Sequence, residues 1–132
     1  CASMRQSSRN MSQIYNKHLK ASGEKINANQ VSILVTISQV DDGSINKISN
    51  LLKMERTTLT RNLNVLKKAG WVKSNSGSDG RFTYIDLTAK GNKVLSKVFP
   101  HWSKAQEQVK KILGGELDSF RKNLKNINTN LI

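Results

Sequence analysis

Arg56-Thr57-Thr58-Leu59-Thr60-Arg61-Asn62-Leu63-Asn64-Val65-Leu66-Lys67-Lys68-Ala69, closed by Gly70, is the stretch that decides how the chain folds. At about 100° per residue, a helix over it gathers Leu59, Leu63 and Leu66 on one side with Ala69 beside them. Opposite fall Thr57, Arg61, Asn64 and Lys68, with Thr58 and Thr60 on the two shoulders. Lys67 and Lys68 suit the negative end of the helix dipole, and Gly70 supplies the stop. After Glu55 the stretch has no carboxylate through Ala69. A solvated surface face normally mixes in some Glu. Donors, hydroxyls and an amide without any Glu instead match a DNA major groove, which accepts one α-helix and presents acceptors, donors and thymine methyls.

Upstream, the periodicity predicts a helix from about Met4 to Lys20, with Met4, Met11, Ile14, Tyr15, His18 and Leu19 on one stripe. Asn27-Ala28-Asn29-Gln30 has the form of a capping box opening a second helix through Val31, Leu34, Val35 and Ser38. Ser44 caps a short third helix carrying Ile45, Ile48, Leu51 and Leu52. Downstream of Gly70 the pattern changes. Trp71 to Asn75 and Phe82 to Leu87 read as two short strands around a Ser76-Gly77-Ser78-Asp79-Gly80-Arg81 tip. Thr88 then caps a long helix to about Leu113, with a bend expected at Pro100, and Gly114-Gly115 separates it from a last helix over 116–132. Helix, helix, short helix, helix, hairpin and long helix make a mainly α fold with a small β-hairpin wing, a winged helix-turn-helix. The chain divides into a DNA-binding core over 27–90 and dimerisation helices over 1–22 and 91–132, all within one domain.

Charge supports the same division. The 132 residues carry 22 Lys plus Arg against 9 Asp plus Glu, a formal +13. Residues 44–99 hold 11 of the basic and 3 of the acidic side chains, a net +8 in the central segment. Such concentration points to a polyanion, and taken alone it fits DNA, RNA or an anionic membrane. At the expected hairpin tip, Asp79 stands two residues before Arg81, close enough to orient a guanidinium for a narrow minor groove, or to form an ordinary surface ion pair. Lys73 and the hydroxyls of Ser74, Ser76 and Ser78 are placed to meet phosphates.

Other classes find less support. No apolar run approaches the ~20 residues of a membrane span. A single cysteine, Cys1, fits a reducing cytoplasm and excludes an internal disulfide framework. The first Met is Met4, so the native start is expected to lie upstream. His18 and His101 are far apart in sequence, with no metal-ligand spacing, phosphate-cradling loop or paired carboxylates, so neither an enzyme nor a cofactor is expected. A winged module binding nucleic acid without sequence preference remains an alternative.

Glu55-Arg56-Thr57-Thr58-Leu59-Thr60-Arg61-Asn62-Leu63, Gly70-Trp71-Val72, Ser76-Gly77-Ser78-Asp79-Gly80-Arg81 and Leu87-Thr88-Ala89-Lys90-Gly91 together resemble the MarR (multiple antibiotic resistance regulator) family. The resemblance spans nearly the whole chain. It implies a bacterial, homodimeric transcription regulator, usually a repressor, released from a palindromic operator by a small molecule or an oxidant. It carries Thr57, Thr58, Thr60 and Arg61 onto base or phosphate contacts, and Asp79 with Arg81 onto the wing pair. Gly80 stands where many members have a second Arg, and Glu55 where Asp is commoner.

The terminal helices suggest why such a chain pairs. Leu117, Phe120, Leu124, Ile127 and Leu131 alternate spacings of three and four, and Leu95, Val98, Phe99, Trp102, Val109 and Ile112 add a second stripe. With the first helix, this is more apolar surface than one small winged domain needs, and a two-fold dimer buries the excess. Two inputs are candidates. Cys1, with Ser7-Ser8-Arg9 and Tyr15, matches the spacing of organic-hydroperoxide-sensing relatives, and Arg5 one turn away favours a thiolate. Cys1 and Tyr15 lie about four helical turns apart, so contact requires a partner subunit; a small interface residue is the plainer account of Cys1. The other input is a small phenolic or aromatic ligand lined by Tyr15, His18, His101 and Trp102, residues that serve equally well as core packing.

Overall fold

The computed structural model describes residues 1–41, 43–76 and 83–129. Six helices and one hairpin follow in chain order: α1 Ala2–Lys20, α2 Ala28–Gln39, α3 Ile45–Leu52, α4 Arg56–Lys68, β1 Val72–Ser76, β2 Thr83–Leu87, α5 Ala89–Leu113 and α6 Leu117–Thr129. A single 3₁₀ turn, Gly114–Glu116, joins the last two, with Gly114 at φ +59°. α5 continues as one helix through Pro100.

Local chemistry sets the starts. Asn27 Oδ1 accepts from Gln30 N–H at 2.9 Å while Gln30 Oε1 accepts from Asn27 N–H at 3.0 Å, a complete capping box. Ser44 Oγ accepts from Lys47 N–H at 3.3 Å, and Thr88 Oγ1 from Gly91 N–H at 3.0 Å. Glu55 stands before α4 without a side-chain cap, as its longer side chain leads one to expect. Gly70, at φ +80°, turns the chain out of α4 in the left-handed region that only glycine enters freely.

One apolar cluster holds the middle of the chain together. Val31, Ile33 and Leu34 of α2, Ile48 of α3, Leu59, Leu63 and Leu66 of α4, Ile85 of β2 and Val98 of α5 are all buried. Each such side chain contributes about 1.5–3 kcal/mol relative to exposure. Val98 therefore belongs to the chain's own core and is not free to face a partner, as is Val109, also buried. Leu51, expected on the third helix's apolar stripe, is instead 56% exposed. It follows Ile48 by three residues, but the inward arc of so short a helix is filled by Ile45, Ile48 and Leu52.

β1 and β2 pair antiparallel, with Val72 opposite Leu87 and Ser76 opposite Thr83. A third short edge joins them: Ile85 N–H donates to Gly43 O at 2.8 Å, and Ser44 bridges Tyr84. The base of the hairpin is locked to α4 and α5. Thr88 Oγ1 donates to Gly70 O at 2.5 Å, and Thr88 N–H to Trp71 O at 3.0 Å. Gly91, in the first turn of α5, lies so close to Trp71 that a Cβ would overlap that residue's carbonyl oxygen. About two turns further along α5, Lys97 Nζ meets Glu24 Oε1 at 3.1 Å.

Gly91→Ala is expected to cost about 2 kcal/mol or more, because the clash is with backbone rather than a yielding side chain. Thermal unfolding followed by circular dichroism should show Tm lowered by at least several degrees; an unchanged Tm contradicts the close approach.

Candidate nucleic-acid interface

Burial of Leu59, Leu63 and Leu66 turns the opposite side of α4 to solvent. Thr57, Thr60, Arg61, Asn64 and Lys68 are exposed, as expected from the sequence. Thr57, Thr60, Arg61 and Asn64 line one shallow concavity, joined by Arg56. Thr58 is half-buried on its shoulder, and its carbonyl accepts from Asn62 Nδ2 at 3.0 Å. That bond ties Asn62 to the helix backbone and leaves Asn64 as the amide on the outward face.

Two residues of α4 extend the surface read from sequence. Arg56 sits about 100° from Thr57 on the wheel, and reaches the concavity because its side chain is long. A cation in the first turn of the helix was its only sequence signal. Val65, 50% exposed, lies beside the Thr58 shoulder and gives the surface an apolar group of the kind that meets a thymine methyl.

Lys73 is exposed on β1, opposite Asp86 of β2, which is exposed too. Among the described residues the one ion pair is Lys97–Glu24, so Arg56, Arg61, Lys67, Lys68 and Lys73 have no carboxylate partner there. Unpaired cations beside a carboxylate-free face make a positive surface available to phosphates. Ser76 ends β1, while Ser78, Asp79 and Arg81, the expected wing contacts, lie outside the described residues.

The effector candidates separate. Tyr15 and Trp102 meet with ring centroids 6.0 Å apart, and Trp102 also packs against the core and against Phe99 at 6.0 Å. Burial pushes the Tyr15 phenol above its ordinary pKa, while a hydrogen bond with Gln106 and the charge of Arg121 pull the other way. His18 Nε2 lies 2.7 Å from Gln108 Oε1. Cys1 is exposed just before α1, about 21 Å of helix from Tyr15. A cavity of about 460 Å³ between α1, α6 and the start of α2 is lined by Met4, Met11, Tyr15, Phe120 and Leu124, with four serine residues; His18, His101 and Trp102 are not part of it. Among the described residues no group of three or more His, Cys, Asp or Glu comes together to hold a metal, and no helix is long and apolar enough to cross a membrane.

A helix-turn-helix followed by a hairpin locked to its second helix defines a winged-helix DNA-binding domain, and the family model so described matches residues 26–91. The M. tuberculosis transcriptional regulator MosR, solved in complex with DNA, is 33% identical with a TM-score of 0.87, over 98% of this chain and 92% of its own. Overoxidized AbfR bound to DNA is 29% identical with a TM-score of 0.79, over 100% of this chain and 91% of its own. The Escherichia coli K12 transcriptional repressor MprA is 36% identical over 88 residues, which are 64% of this chain and 49% of MprA. The chain spans about half the length of the curated relatives it matches. The chain belongs to the MarR family of winged-helix transcription regulators.

Substitutions at Arg61 and Lys73 test base reading against phosphate contact. Arg61→Ala should weaken binding to a preferred duplex by about 1–3 kcal/mol more than to random DNA. Lys73→Ala should weaken both alike and make the salt dependence shallower. Fluorescence-anisotropy titrations over a range of salt check both, and an equal loss on the two duplexes for Arg61→Ala contradicts its assignment.

Proposed function

We propose that the chain is a cytoplasmic transcriptional repressor that binds a palindromic operator in double-stranded DNA as a homodimer. The observation that carries this reading is the α4 face, where Thr57, Thr60, Arg61 and Asn64 stand exposed together above a leucine-filled core. Arg donates in parallel to guanine, Asn pairs with adenine in two hydrogen bonds, and Thr offers a methyl and a hydroxyl. Thr58, Lys68, Lys73 and Ser76 add contacts around it, and Asp79 with Arg81 reads or holds the adjacent minor groove. MprA's description as a repressor and the DNA in the MosR and AbfR structures favour this reading over an enzyme.

Dimerisation is supported by apolar surface the chain does not cover for itself. Met4, Phe99, Ile112 and Ile127 are 47%, 48%, 67% and 55% exposed, and α6 buries none of its described residues. A second copy related by a two-fold axis covers such stripes and sets two α4 helices about one turn of DNA apart. Release follows a small phenolic or aromatic ligand at the terminal helices, where Tyr15 lines the cavity beside α6 and Trp102 packs against Tyr15 at a tilt. A second input, oxidation of Cys1, is favoured by the thiol's exposure and by a relative described as overoxidized.

Selection of bound duplexes from a random pool tests the reading. Enrichment of one inverted repeat with half-sites about 10 base pairs apart is expected, whereas a pool that stays random establishes the non-specific alternative. Hydroperoxide should release the selected duplex from wild type and not from Cys1→Ser; equal release from both discards the thiol input.

A further inference from the structure

Lys53 is the only non-glycine among the described residues at positive φ, with φ 54° and ψ 37° in the left-handed region. It is the residue on which the chain turns from α3 into α4. Its backbone N–H donates to Asn50 O at 3.4 Å, and Met54 N–H to Ser49 O at 3.2 Å. These are the bonds of a helix ending that glycine ordinarily supplies. Ser49 Oγ donates to Met54 O at 2.6 Å, and the Met54 side chain packs on the core, so the turn is held from both sides. A strained backbone so over-determined, carrying a long charged side chain where none is needed for the turn, points to a use for the side chain.

The surroundings indicate that use. Asn46, Asn50 and Lys53 follow one another at intervals of four and three, with Lys47 beside them, and all four are exposed. Two amides and two ammonium groups form a stripe without a carboxylate; Leu51, exposed nearby, adds no charge. Three residues past Lys53, beyond the exposed Glu55, α4 begins with Arg56. In a helix-turn-helix the first helix crosses the phosphate backbone while the second enters the groove.

We propose that Lys53 is a DNA-phosphate contact at the groove edge, held in the left-handed conformation by the turn, with Asn46, Lys47 and Asn50 on the same strand of backbone. This rests on the DNA-binding reading above and assigns Lys53 affinity but no part in choosing sequence.

The test compares wild type, Lys53→Gly, Lys53→Gln and Lys53→Arg on the selected duplex and on a scrambled one, between about 50 and 200 mM salt. Lys53→Gly should lose about eight-fold in affinity at 0.1 M salt for each Lys53 bound, equally on both duplexes. The slope of log affinity against log salt should become shallower by about 0.9 for each lysine. Its Tm should rise by about 2 °C as the strain is relieved. Lys53→Gln should show the same binding loss without the rise in Tm, and Lys53→Arg should bind as wild type does. A wild-type slope in both Lys53→Gly and Lys53→Gln overturns the phosphate contact, as does a loss confined to the selected duplex. A lowered Tm in Lys53→Gly overturns the strain. Wild type that binds neither duplex overturns the DNA-binding reading itself, which a failure confined to the variants does not.

Discussion

The rotation of α4 about its own axis governs everything the protein can do with a duplex. Leu59, Leu63 and Leu66 fix that rotation by joining the buried core, with α3 and β1 packed against the helix. Burying them leaves one arc of α4 for solvent, and that arc holds hydroxyls, an amide and cations. The functional face is thus set by what lies beneath it. The exposed side chains need make few contacts of their own in the free protein, and they are available to bases and phosphates.

A second constraint orders the hairpin against that helix. Gly70 ends α4, Thr88 bonds back to Gly70 and Trp71, and Gly91 admits the Trp71 backbone against the first turn of α5. The wing base, the end of the reading helix and the start of α5 are therefore one rigid junction. α5 then runs 25 residues away from it, carrying Phe99, Trp102 and Ile112 toward the apolar surfaces of α1 and α6. Under the proposed release by a ligand or an oxidised thiol, α5 is the continuous element between the terminal helices and the base of the wing. Bistable packing along such an element is how small displacements are carried between sites.

Much of this was legible in the residues, and for identifiable reasons. Asn27, Ser44 and Thr88 announce helix starts because their side chains satisfy backbone amides within three residues, a purely local chemistry. The leucine spacing of α4 is equally local. Apolar stripes on the terminal helices were harder, because one period serves a chain's own core and a partner's alike. Val98 went to the core and Phe99 to the surface, although they adjoin in sequence. Leu51 was misread because three apolar neighbours already saturate the inward arc of an eight-residue helix. Nothing in the residues announced the left-handed backbone of Lys53, since such a turn is ordinarily marked by glycine. Arg56 was missed because a wheel records directions and not the reach of a long side chain.

Sequence choice by the α4 face is the central claim, and methylation interference on the selected duplex tests it most directly. Methylation of guanine N7 blocks the major-groove acceptor that an arginine reads, without altering the phosphates. Methyl groups at a few guanines, in two clusters about one helical turn apart, are expected to abolish binding. Binding indifferent to every N7 methyl, and lost only when phosphates are ethylated, would contradict it.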